Sequence, residues 1–199
     1  MKNHRNGIIA AGFAILVATL VTAPALAYPV YAGVANSQIT VTSNPPNVEY
    51  MVTAQANIPK HADSYINSQK AFGYAWIAPE FSPGVEVDAV WAVIHPNLPD
   101  DSAFSDPQDW HVHTAKINST QNSAEPYCVT QVNSPPFMIK INGKRLTADL
   151  APTDATVTEP LGVTTTSFVV AEPVNVTCRD IVLDGVTQTG FKLVFMQPP

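Results

Sequence analysis

Hydrophobic and polar positions alternate every second residue through much of this chain, the period of extended strands. Residues 85–95 carry it most clearly. Val85, Val87, Ala89, Trp91, Val93 and His95 fall on one face, and Glu86, Asp88, Val90, Ala92 and Ile94 on the other. The second half of the run is apolar on both faces, which predicts a central strand covered on both sides. Pro96 ends it. Shorter extended runs are predicted at 38–43, 48–54, 72–78, 110–118, 127–133, 137–141, 144–150, 163–171, 174–179, 181–184 and 191–195. Asn142-Gly143, between two of them, accepts the positive φ angles of a tight hairpin turn. The polar stretch 60–71 breaks the pattern, with Ala62, Tyr65 and Ile66 loosely spaced as for a short helix.

About ten short strands with turns every eight to twelve residues describe an all-β fold. Eighteen prolines against nine glycines suit strands and turns better than long helices. No inward-facing period spans every strand, so the expectation is an antiparallel β-sandwich, immunoglobulin-like or jelly-roll-like. No internal repeat is visible.

The first residues are not part of that pattern. Lys2 and Arg5 form a basic head, residues 7–21 are apolar and uncharged, and Ala25-Leu26-Ala27 offers small residues to a signal peptidase. That is the build of a secretory signal peptide, with an apolar core shorter than a membrane span requires. Val30-Tyr31-Ala32 is a second small-residue site five residues downstream, and no cysteine follows either site, which argues against a lipoprotein. The expected organisation is a signal peptide at 1–27, a linker at 28–37 and one β-sandwich domain at 38–199. The mature chain would be secreted, extracellular or periplasmic, with no membrane span.

Loss of Lys2 and Arg5 with the leader takes the formal charge from −6 to −8. An acidic chain whose longest basic cluster is Lys144-Arg145 has no footprint for nucleic acid. With 13% charged and 46% hydrophobic residues, it is a folding sequence and not a disordered acidic tail. Two cysteines, Cys128 and Cys178, in an exported chain predict one disulfide.

Candidate chemistry is confined to the histidines. His111 and His113 point to one side of a strand, roughly 7 Å apart. His95 ends the preceding strand and joins them if the two strands are neighbours. Three imidazoles with an open position are a common zinc or copper site. Asp100, Asp101, Asp106 and Asp109 lie on the intervening loop, and Asp109 is the nearest candidate for a further ligand. The competing reading makes each histidine a structural residue bonded to backbone. No histidine follows His113, which excludes a blue-copper site after a cysteine. His-Glu-x-x-His, Gly-x-Ser-x-Gly and a glycine-rich phosphate cradle are all absent.

Asn118-Ser119-Thr120 and Asn175-Val176-Thr177 are N-glycosylation sequons. Trp76, Trp91 and Trp110 are core residues on this pattern, or else a carbohydrate platform. The sequence therefore leads to a non-enzymatic binding or structural module for an unidentified extracellular ligand or cell-surface component. Its alternative is a zinc or copper protein using His95, His111 and His113, as a carrier or a metal-dependent enzyme.

Overall fold

The computed structural model describes residues 28–43, 46–78, 85–97, 109–119, 127–152, 163–171, 178, 180–183, 186–189 and 191–196. The leader, Asp100, Asp101, Asp106 and Asn175 lie outside them. Among the described residues there are twelve strands: β1 (Val34–Ser43), β2 (Pro46–Ala54), β3 (Ala71–Ile77), β4 (Glu86–Ile94), β5 (His111–Ser119), β6 (Tyr127–Asn133), β7 (Phe137–Asn142), β8 (Arg145–Leu150), β9 (Thr164–Ala171), β10 (Asp180–Leu183), β11 (Val186–Thr189) and β12 (Lys192–Met196). The all-β expectation holds, and the pairings are antiparallel except for β10 on β6.

The sandwich expectation does not hold as stated. Strands β6, β12, β9, β3, β4 and β5 follow one another in a sheet, and β5 pairs back onto β6, so six strands close into a barrel. A four-stranded sheet, in the order β1-β2-β8-β7, lies over one side of it. Closure was hidden because the interior period is carried by unlike residues. Ala71, Ala75, Ala89 and Ala115 share the inside with Trp91, Phe168 and Leu193. A barrel of so few strands is too narrow for a bulky side chain at every inward position.

Gly73 shows how tight that interior is. A Cβ there would lie 2.5 Å from the Ala92 carbonyl oxygen and 3.0 Å from the Phe168 ring. The missing side chain lets Phe168 reach across to Trp91, with ring centroids 5.0 Å apart.

The second core lies between barrel and sheet. Phe72, Tyr74, Trp76, Val90, Ala92, Ile94 and Val112 face outward from the barrel onto Tyr50, Val52, Leu146, Ala148 and Leu150. This is why β3 is buried along its whole length and β4 is apolar on both faces after Asp88. Outside that cover the outward face is charged, and Lys116 lies 3.5 Å from both Glu86 and Asp88. Trp76, Trp91 and Trp110 are all buried, which overturns a carbohydrate platform on them.

Several local expectations can be placed. Gly143 takes φ +61° in the β7–β8 hairpin, as Asn142-Gly143 predicts. The helix expected in 60–71 reduces to a 3-10 turn at Ile66–Ser68, where the Asp63 carboxylate accepts the Ile66 N–H at 2.9 Å. Residues 28–37, expected as a linker, instead form a 3-10 turn at Val30–Ala32 and the start of β1. Tyr31 and Ala32 are buried there. Tyr31 donates its hydroxyl to Asp63 at 2.8 Å, and Tyr74 donates to the Tyr31 carbonyl at 2.6 Å. Within this segment Tyr31, Ala32 and Gly33 are closely packed, while Val30 and residues 35–37 are exposed.

Cys128 and Cys178 are bridged, with Cα atoms 5.0 Å apart. The bridge starts where the barrel closes most thinly. β12 meets β6 at one residue pair, Lys192 with Cys128, supported by the Val129 N–H to the Phe191 carbonyl at 3.1 Å.

Two outcomes follow. Cys128→Ser should destabilise the oxidised protein by about 4 kcal/mol, the loop-entropy value for roughly fifty residues; denaturant titration against the parent reads this, and unchanged stability would refute it. The second concerns alkali. Burial pushes the Tyr74 hydroxyl up, and burial followed by the Asp63 contact does the same to Tyr31. Both are protonated in the fold at pH values where the unfolded chain ionises. Their contribution is complete below a phenol's ordinary pKa of about 10 and falls as pH rises beyond it. The melting temperature should therefore drop above about pH 10, with a shallower drop in Tyr74→Phe; parallel curves would rule it out.

Candidate metal centre

His95, His111 and His113 meet inside the barrel because of one register. β4 and β5 pair antiparallel with Val93 opposite His111 and Trp91 opposite His113. Side chains of directly paired residues share a face. Val93 and Trp91 belong to the barrel core, so His111 and His113 point inward beside them. His95 follows Ile94 and continues the inward series 91, 93, 95. The neighbour relation that the sequence left conditional is thus met.

The three residues are 6%, 1% and 5% exposed, in chain order. One ring nitrogen from each can be chosen so that all lie within 4.8 Å of one another. His95 and His111 are closest, Nε2 to Nε2 at 2.7 Å, with ring planes 89° apart. His113 stacks roughly parallel to His95 at 5.9 Å and edge-on to His111 at 4.9 Å.

The hydrogen bonds around the cluster orient two of its members. The Asp109 carbonyl can only accept, so His111 Nδ1, 2.8 Å away, carries a proton and donates to it. In the neutral ring this leaves the lone pair on Nε2, the atom turned to His95. Without an ion, His95 Nε2–H donates to that lone pair. With one, both Nε2 atoms can serve as ligands. His113 Nδ1 lies 3.1 Å from the Ser134 hydroxyl. Outer hydrogen bonds of this kind fix the tautomer and orientation of ligating imidazoles.

Asp109 does not fill the ligand role expected of it. Its carboxylate lies 3.2 Å from His61 Nδ1 in an exposed pair, and it is the main-chain oxygen that serves the cluster. The reason is directional, since the residue stands two positions before an inward-facing histidine but off the end of β5. Ser134 escaped the sequence reading. Thr114 pairs with Asn133, which brings the next residue of that chain opposite His113, but only a known strand register reveals it.

Asn118 is half-buried on β5 between Glu86 of β4 and Cys128 of β6, and its side-chain oxygen is buried. Chemically, three nitrogen donors without thiolate or carboxylate suit zinc, copper and neighbouring divalent metals, not calcium or magnesium. Three buried histidines capable of forming a metal site are therefore present. Comparison with family models, curated proteins and solved structures gave no match for this chain.

Proposed function

We propose that this protein is an exported, non-enzymatic metal-binding module that holds zinc or copper through His95, His111 and His113. The observation that carries the reading is the convergence of three buried imidazoles, one nitrogen of each within 4.8 Å of the others. Imidazole nitrogens are the donors that zinc and copper favour, and three of them gathered at one place offer the ligand number of such sites. The near-complete burial of the rings favours an ion held in place over an open site that turns over substrate.

Export is supported by the leader-like segment at 1–27 and by the Cys128–Cys178 bridge, which suits an oxidising compartment. No helix among the described residues is long and apolar enough to cross a membrane. The metal would add to stability by mass action, about 2.7 kcal/mol at a hundredfold excess over its dissociation constant. Acid should release it, because protons compete for the same nitrogens.

The test is metal content by mass spectrometry after incubation with zinc or copper and desalting, beside His111→Ala/His113→Ala. Near-stoichiometric metal in the parent, lost in the double variant and accompanied by a metal-dependent rise in melting temperature, is expected. Metal-free parent protein after both incubations would make the histidines a hydrogen-bonded cap on the barrel. The module would then bind something else, an extracellular ligand or a cell-surface component.

A further inference from the structure

Two positions satisfy the small-residue rule for leader removal, one after Ala27 and one after Ala32. The residues between them are built into the fold. Tyr31 is buried with its ring edge-on to Phe72 at 5.5 Å, and its hydroxyl reaches Asp63. Its carbonyl is the acceptor for Tyr74. The Ala32 carbonyl accepts the Ser167 hydroxyl at 2.6 Å, tying the start of the fold to β9. Ala32 N–H and Gly33 N–H close the turn on Pro29 and Val30 at 2.8 and 3.1 Å.

We infer that the leader is removed between Ala27 and Tyr28, and that Val30-Tyr31-Ala32 is retained as a clasp joining β3 and β9 to the first strand. The exporting cell's leader peptidase adds water across the Ala27–Tyr28 amide, leaving a carboxylate on Ala27 and an amine on Tyr28. The inference rests on the export reading but not on the histidines.

Cutting after Ala32 would do three kinds of damage. Tyr74 and Ser167, both fully buried, would lose the carbonyls they donate to. Orphaned buried donors are among the costlier defects a fold can carry. The Tyr31 ring would leave the core between barrel and sheet. Finally, the Gly33 N–H would lose the Val30 carbonyl to which it donates. A chain shortened in this way lacks the contacts that seal one end of its core.

The experiment is the intact mass and N-terminal sequence of the protein exported from a secreting host that expresses the full chain. A mature chain beginning at Tyr28 is expected. A chain beginning at Gly33 or at any other residue, or one retaining its leader, overturns the inference. A second measurement isolates the clasp. Chains released from a fusion to begin at Tyr28 and at Gly33 should differ in melting temperature by about 5 °C or more, or only the longer should fold. Equal melting would remove the structural reason for the longer product. Neither readout depends on whether metal is bound, so the metal proposal and this one can fail separately.

Discussion

Trp91 lies opposite His113 and Val93 opposite His111, and that pairing of β4 with β5 determines both what fills the barrel and where its polar cluster sits. Side chains on a strand alternate, so a slip of one residue would turn all of β5 over. His111, His113, Ala115 and Ile117 would leave the interior, and Thr114 and Lys116 would enter it. The register is held from both sides. β4 is buried against the β2–β8 sheet on one face and within the barrel on the other, while β5 is paired on both edges, to β4 and to β6. Lys116 adds a weaker outer constraint, facing Glu86 and Asp88 across the same strand pair. Exposed ion pairs of this kind are worth little beside the apolar faces.

The narrow interior then explains the composition of the inward positions. Four alanines and Gly73 make room for Trp91 and Phe168, which meet over Gly73 of the intervening β3. The imidazoles extend the same inward series at the end of β4 and the start of β5. They are placed where an aliphatic residue would have sufficed for packing, and each brings polar atoms that an apolar wall cannot satisfy. Their neighbours answer part of this: a main-chain carbonyl takes the His111 proton, and the Ser134 hydroxyl lies at His113. Those two contacts hold the β5 rings at their Nδ1 atoms, and the His95 and His111 Nε2 atoms meet at 2.7 Å.

Alternation made the strands legible. Residues 85–95 announced a doubly covered strand, and the reason was correct, since Val90, Ala92 and Ile94 meet the covering sheet while Trp91 and Val93 line the barrel. The His-x-His pair announced a shared face for the same reason. Closure was not legible. It depends on β5 meeting β6 and on the single meeting of β12 with β6, non-local pairings that leave no local period. The burial of Tyr31 and Ala32 was illegible too, because small residues suit a linker and a tightly packed turn equally well. Asp109 shows a different limit. Its residue type suggested a carboxylate ligand, whereas its contribution is a main-chain oxygen, and any residue there would have a carbonyl to offer.

The chain distributes its constraints unevenly. At β6–β12 the ladder is thin, and the disulfide from Cys128 ties that part of the barrel covalently to a residue fifty positions away. At β3–β4–β5 the pairing is long and both faces of β4 are packed, so no covalent help is needed. The histidines belong to this second region. His111 and His113 lie on paired β5, and His95 just past the end of β4, so an ion held there would cost the β5 pair little further freedom. Had the same three residues been placed near the β6–β12 seam, ordering the strands would have consumed part of the coordination energy. The best-determined part of the fold is therefore also where three imidazoles are brought together.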